Sequence, residues 1–352
     1  MTSQPPDALP RLTGEHVDAL AAGAVLLGSG GGGDVAVGRM LLRHELRNRP
    51  VELVPASASP PDTLVVHVGV VGGPDVIAER LIDPDDLALA ARTVVEHAGG
   101  RLGAIGVIEI GGLNALAGVL AAARLGLPVI DGDLMGRAFP LIHQTTLAIA
   151  GHPVTPMALV SSAGDIVVVP QGSARMTQAL LTSTALAMGG AAALALYPTT
   201  TAILDEVGIR GSLSACVGIG AAYLDPRAGD ARALVGMLGG RLLFGGRAEE
   251  IRSRRGADPG CVTLADPVSG ATARIDCRDE FLAVSRDGRT VAATPDVIVA
   301  MDASNRQPLR CDQVRVGQSL VVFALPPLHR WPPEAGPIVG PGQFGLELEA
   351  PR

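Results

Sequence analysis

Two short segments bring carboxylates next to glycines: EIGGLN at residues 109–114 and DGDLMGR at residues 131–137. Each follows a run that reads as a buried strand, AIGVIEI at 104–110 and LPVID at 127–131. In an open α/β sheet a ligand binds beyond the carboxyl ends of the strands. Glu109, Asn114, Asp131 and Asp133 then fall on one edge of one sheet. Three carboxylates close together suit a hard divalent cation or acid–base work, and Gly111 and Gly112 let a ligand approach the backbone. The plainer reading of Asp131 and Asp133 is that they cap the following helix and shape its turn.

A third candidate is the run LLGSGGGGD at 26–34, which contains Gly28-x-Gly30-x-x-Gly33, the spacing of a dinucleotide-binding turn. That turn needs a strand before it, a helix after it and an acid about twenty residues on. A helix is expected at 35–48 and Glu52 stands near the right distance, but Val17, Leu20, Ala21, Ala24 and Leu27 recur at helical spacing after a Thr13 cap. The run therefore reads as a loop between two helices, and a nucleotide is not favoured. Five glycines in one loop cost entropy on ordering, which close approach to a ligand or another segment would offset. The amides of Gly30, Gly31, Gly32 and Gly33 could then face a carbonyl or carboxylate. Asp34 is either the cap of the second helix or a further site acid. Ser29 does not sit in the Gly-x-Ser-x-Gly pattern of a nucleophile elbow.

The other reactive residues are scattered. His16, His44, His67, His97, His143, His152 and His329 include no i, i+4 pair of metalloprotease type. His143 follows Asp133 by ten residues and could turn back toward it; His67 lies in a strand and reads as structural. Cys216, Cys261, Cys277 and Cys311 form no C-x-x-C pair and read as isolated reduced thiols, Cys216 in SLSACVG being the least implausible nucleophile. Asp302 and Asp312 read as turn chemistry.

Elements that could hold these residues are visible around them. VELV (51–54) and TLVVHVGV (63–70) read as strands, and 84–98 as a helix with Pro84 in its first turn. After 104–110 come a helix at 113–126, the strand 127–131, a helical segment at 135–150 and strands at 157–162 and 165–170. That alternation implies right-handed crossovers and a parallel sheet covered on both faces. Residues 174–196 read as a helix broken by YPTTT, and 230–240 as a short one. From about 242 onward, short strand-like runs begin at Cys261, Ala273, Glu280, Arg289, Asp296 and Ser319, the spacing of a small β-barrel or sandwich. The expected division is residues 1–171 for the α/β part and 172–352 for a helical connection plus a β-rich domain, with a discontinuous boundary allowed.

Composition excludes some functions. Over 352 residues, a hydrophobic fraction of 47% permits a large core, but only 2% aromatics means it is aliphatic. A net charge of −7, with no basic run, argues against a nucleic-acid partner. No apolar stretch reaches about 20 residues and no signal-peptide pattern opens the chain, so a cytoplasmic protein with no membrane span is expected.

LGSGGGGD (27–34), EIGGLNA (109–115), DGDLMGRAFP (131–140), PDVI (295–298) and VGPGQFG (339–345) occur in this order. With them the chain resembles, from about 12 to 347, the S-methyl thiohydantoin desulfurase-like family, whose members often accompany hydantoinase or oxoprolinase components. The resemblance implies a three-layer αβα domain with a largely parallel sheet, then a second domain with a β-barrel-like part. It also implies action on a five-membered cyclic amide or thioamide ring. The named reaction hydrolyses an S-methyl thiohydantoin to a hydantoin and methanethiol. On that basis Asp131 and Asp133 would hold a metal-bound or base-activated water, with Glu109 as second carboxylate. Asn114, Arg137, Ser29, Asp34, Gly111, Gly112 and the loop glycines would contact substrate. An acid-rich set without a histidine cluster favours Mg²⁺ or Mn²⁺ over Zn²⁺, if a metal is used. The sequence departs from the family at Arg278-Asp279-Glu280-Phe281, where an Asn-Glu-Asn run is expected, and at His143-Gln144, where an acid is expected after Pro140. A homo-oligomer is expected. Two other classes remain open: a non-catalytic partner subunit of a hydantoinase-type enzyme, with 174–196 as an interface helix, and a nucleotide-dependent enzyme using the glycine run.

Overall fold

The computed structural model describes residues 9–47, 49–79, 83–256 and 258–348. The first half contains β1 (Arg11–Leu12), α1 (Val17–Leu27), α2 (Ala36–Glu45), β2 (Val51–Val54), β3 (Leu64–Gly72), α3 (Pro74–Glu79), α4 (Pro84–Ala98), β4 (Leu102–Val107) and α5 (Leu113–Leu125). There follow β5 (Val129–Ile130), β6 (Gly132–Asp133), α6 (Thr146–Ile149), β7 (Met157–Val160), β8 (Ile166–Val169), α7 (Ala174–Ala187) and β9 (Ala191–Thr200). Helix α4 forms as its sequence dictates: the Asp83 carboxylate accepts from the Asp85 amide at 2.8 Å, and Pro84 occupies the first turn.

Eight strands make one sheet in the order β1-β2-β5-β4-β3-β9-β7-β8. Only β2, β5, β4 and β3 are mutually parallel; β1, β9, β7 and β8 each pair antiparallel with their neighbours. The sheet is therefore mixed, not largely parallel, and the runs at 157–162 and 165–170 form a hairpin. Alternation along the strands builds three layers. Val66 and Val68 of β3 with Ala193 and Ala195 of β9 face α1, α4 and α5; Val65, Leu194 and Leu196 face α7 on the other side.

Two helical expectations fail for local reasons. The expected helix 174–196 stops at Ala187, because Gly189 and Gly190 take φ of 88° and 94°. The Ala-rich run beyond them is β9, which lies antiparallel along β3: ladder pairing overrides alanine's helix propensity. Within 135–150 only α6 is helical. The amides of Met135 and Gly136 turn back to the Asp133 carboxylate, and Gly136 has a φ of 71°.

The second half contains α8 (Thr201–Val207), β10 (Ile209–Arg210), α9 (Ser212–Leu224), α10 (Ala231–Met237), β11 (Arg241–Arg252), β12 (Gly260–Ala265), β13 (Thr272–Cys277), β14 (Phe281–Arg286), β15 (Arg289–Ala293), β16 (Val297–Asp302), β17 (Pro308–Leu309), β18 (Ser319–Leu325) and α11 (Gly336–Val339). Strand β10 pairs with β6. A second eight-stranded sheet, antiparallel throughout, runs β15-β14-β13-β12-β11-β18-β16-β17. Among the described residues its end strands β15 and β17 do not pair, so the β-rich part is an antiparallel sheet without an observed closure into a barrel. The long strand β11 and helix α9 have no counterpart among the elements expected from sequence.

Candidate functional site

The strand β5 ends at Ile130 and passes straight into Asp131, Gly132 and Asp133, all buried. Asp133 folds its carboxylate back: Oδ2 accepts from the amides of Ile110 (3.1 Å), Met135 (3.0 Å) and Gly136 (2.7 Å). Oδ1 has no partner among the described residues. Burial raises the Asp133 pKa to about 6, while those amides and the nearby Ser212 hydroxyl restrain the rise. Asp131 is spent differently. Its Oδ1 accepts from the Ser214 amide at 3.0 Å and its Oδ2 from the Ser214 hydroxyl at 2.6 Å, so it caps α9, an element eighty residues further along the chain. The capping expectation for the aspartates therefore holds in kind for Asp131, but with a distant helix in place of the following one.

Glu109 lies one residue before the Ile110 amide that Asp133 holds. Its Oε1 accepts from Asn114 Nδ2 at 2.5 Å and its Oε2 from the Phe139 amide at 3.0 Å. Burial pushes Glu109 up to about 7, against the restraint of those two bonds. Asn114 is tied at both ends, because its Oδ1 also accepts from the Val70 amide at 2.6 Å. Arg137 is fully buried, and burial lowers its pKa to about 10. It donates to the carbonyls of Ala138 (3.0 Å), Asp296 (2.5 Å) and Phe281 (3.2 Å).

A cavity of about 300 Å³ opens beyond the carboxyl ends of β2 and β5. Its wall includes Pro55–Ser57, His67, Gly106, Ile130–Asp133, Leu204, Asp205, Gly208–Gly211 and Ser214. This is where ligands bind in open α/β sheets, and a small, partly apolar chamber with few convergent polar groups is the common form of a small-molecule site. His67 enters it from the middle of β3. Its Nδ1 lies 3.0 Å from the Tyr197 carbonyl, and burial lowers its pKa to about 4.

The glycine loop does not line this cavity. It is wedged between the α/β sheet and the β-rich part. Gly32 accepts from the Leu113 amide at 2.7 Å, Ser29 from the Phe281 amide at 2.7 Å and Gly30 from the Cys311 amide at 2.9 Å. The Ser29 hydroxyl donates to the Ile298 carbonyl and accepts from the Ile298 amide, which uses it as a structural tie. A Cβ on Gly31 would fall 2.7 Å from Oε1 of Glu280, and one on Gly112 would fall 2.0 Å from the Gly32 carbonyl oxygen. Gly111 is likewise closed off by Ala138 and Leu27. Asp34 accepts from the Ala36 amide at 2.7 Å and pairs with Arg310 at 3.2 Å, which makes it a helix-end and surface residue. The helix α1 before the loop replaces the strand that a dinucleotide turn needs.

Glu280, which the sequence marks only as a strand start and a departure from the family pattern, belongs to the site. It is buried, its Oε2 has no partner among the described residues, and burial raises its pKa to about 8. The acid cluster under the loop is thus Glu109, Asp133 and Glu280, with Arg137 among them. Ser212 and Ser214, in the same stretch as Cys216, carry no motif that marks them in the sequence. Cys216 is packed against α1, donates to the Leu20 carbonyl at 3.4 Å, and burial raises its thiol far above the ordinary range. It stays protonated and inert. His143 is half-buried and stands outside the cavity wall. Among the described residues no group of three or more His, Cys, Asp or Glu side chains is arranged to hold a metal ion. Asp131, bonded through both oxygens, and Asp133 gain no third ligand from the described residues.

No curated protein gives a significant match. A solved structure of a protein from Chromobacterium violaceum is similar: 26% identity, with 90% of this chain and 92% of that chain covered and a TM-score of 0.77. Family models described as S-Me-THD-like match residues 15–171 as the N-terminal domain and 172–351 as the C-terminal domain. With the two matches together spanning residues 15–351, and with the glycine loop, EIGGLN and DGDLMGR segments meeting around one buried acid cluster, the chain belongs to the S-Me-THD-like family.

Proposed function

We propose that the protein is a hydrolase of five-membered cyclic amide or thioamide rings, with an S-methyl thiohydantoin or hydantoin-like substrate held in the cavity beyond β2 and β5. The observation that supports this most directly is Asp133: a buried carboxylate on the cavity wall, with Oδ2 held by three amides and Oδ1 outside hydrogen-bond geometry with any described residue, the Ser212 hydroxyl standing near it. Water attacks the sp² ring carbon between the two nitrogens. Asp133 takes the water's proton through Oδ1. The carbon becomes tetrahedral, Asp133 passes that proton on to the ring nitrogen, and the C–S bond breaks as the added hydroxyl becomes the ring carbonyl and its proton leaves with the sulfur as methanethiol. A carboxyl that titrates near 6 is ionised at neutral pH and still basic enough to take that proton. Asp131 is a positioning residue, fixing Ser214 and the start of α9 against the cavity.

Asp133→Asn should lower kcat by roughly 10²–10⁴-fold, the usual contribution of a positioned base, with the fold retained. In the wild type kcat/KM should rise with pH through about 6, because the base must be ionised. A folded Asp133→Asn variant that turns over every accepted ring substrate at the wild-type rate would sink the assignment.

A further inference from the structure

The cavity wall includes a buried histidine that this chemistry leaves unused. His67 is almost fully buried on the central strand β3, with its ring at the cavity wall. Its Nδ1 lies 3.0 Å from the Tyr197 carbonyl oxygen. A carbonyl can only accept, so Nδ1 carries the proton. Burial keeps the ring neutral down to about pH 4, so Nε2 is a lone pair and nothing else. No described residue donates to that lone pair. The neighbouring strand keeps its approach clear: at Gly106, also on the cavity wall, a Cβ would fall 2.5 Å from Nε2. Any residue but glycine there would press on the imidazole. An acceptor on a cavity wall that no described residue serves is open to a polar group from outside the chain.

We infer that His67 is the group that recognises a ring N–H: its bare Nε2 accepts a hydrogen bond from an N–H of a planar cyclic amide or amidine in the cavity. This rests on the ring-hydrolase reading and refines it. An N–H is the feature that an S-methyl thiohydantoin shares with the hydantoin formed from it, whereas the substituent at the attacked carbon differs. A site that reads the N–H therefore holds the ring in one orientation through the reaction. It rejects rings whose nitrogen is alkylated or replaced by oxygen, because the acceptor is then left unpaired.

The test is calorimetric titration of the wild-type protein with hydantoin, 1-methylhydantoin, 3-methylhydantoin and oxazolidine-2,4-dione, the last keeping the ring's size while exchanging one N–H for oxygen. Hydantoin should bind at least about tenfold more tightly than one or more of the others. In His67→Asn the amide can still donate to the Tyr197 carbonyl, but the acceptor is gone; hydantoin should weaken and the series should level. His67→Gln, which carries an oxygen out toward the lost Nε2, should restore part of the preference. Equal wild-type affinity for all four rings overturns the role of His67 while leaving the ring-binding cavity standing. So does an undiminished preference in folded His67→Asn. Absence of binding by any ring overturns the hydrolase reading and this inference with it. The wild-type series decides even where a variant fails to fold.

Discussion

Buried acids are the feature that most distinguishes this chain residue by residue. Asp133, Glu109 and Glu280 are each desolvated, and each is raised toward or past neutrality, to about 6, 7 and 8. Their partners differ. Asp133 has three amides, Glu109 has an amide and Asn114, while Glu280 has mainly the field of Arg137 set against Asp279 and Glu109. Glu280 therefore rises furthest. The sign of its effect on stability follows from linkage. Its folded pKa lies above the ordinary 4.5, so its favourable contribution is whole below that value and is lost as pH climbs through about 8. The denaturant midpoint should fall between pH 5 and pH 8.5, and Glu280→Gln, which imitates the protonated acid, should flatten that fall. An unchanged slope in the variant would assign it to other groups.

Between elements, the tightest constraint is the crossing of α1 and α9. Gly23 and Gly220 sit where the two helices touch: a Cβ on Gly220 would fall 1.7 Å from the Ala19 carbonyl oxygen, and one on Gly23 would fall 1.9 Å from that of Cys216. Only glycine lets the backbones approach this closely, and that approach brings the start of α9, with Ser212 and Ser214, to the aspartates after β5. Gly220→Ala must push the helices apart and should cost about 1–3 kcal/mol or more. Gly218→Ala, two residues away on the same helix with nothing within 4 Å of its Cβ, should be neutral or stabilising by up to about 1 kcal/mol. Urea unfolding of the two variants separates the crossing from generic helix propensity; equal effects would remove the crossing from the explanation. Asp131→Ala should cost about 1–3 kcal/mol by leaving the buried Ser214 amide unpaired.

Across the whole molecule, the two sheets share one core. Strand β16 alternates: Ile298 and Ala300 face the interior of the β-rich part, while Val297, Val299 and Met301 join the core that holds α1, α5 and α9. Arg137 ties the parts together from inside, belonging to the segment after β6 yet donating to Phe281 and Asp296 around β14 and β16. Arg137→Met removes a guanidinium that serves these carbonyls and the cation that acts most strongly on Glu280, and should destabilise by roughly 3–5 kcal/mol. Calorimetry should then show an unfolding transition broader than that of the wild type, or split; an unchanged transition would place the coupling elsewhere.

Much of this was legible in the chain alone, because it depends on neighbours in sequence. Asp83-Pro84 starts α4, the 3.6-residue pattern of 17–27 rules out a strand before the glycines, and apolar runs flanked by turns mark β12 through β16 and β18. The acids at 109, 131 and 133 are visible for the same reason: they stand at or just past the ends of buried runs, within three residues of a following glycine. What was not visible depends on residues far apart. The alanines of 191–196 suit a helix until β3 offers a ladder, and Asp131 is a cap only once Ser214 of α9 arrives 83 residues later. His67 looks like any strand histidine until the Tyr197 carbonyl fixes its proton and Gly106 clears its other nitrogen. The sequence by itself determined which residues could do chemistry and which local elements carry them, through periodicity, capping and turn preference. Only the tertiary structure decided which oxygen of which acid is free and which acid is a cap, and it moved the glycine loop from the cavity to the seam between the sheets. Desolvation and hydrogen-bond partnership are set by groups that the chain brings together only on folding.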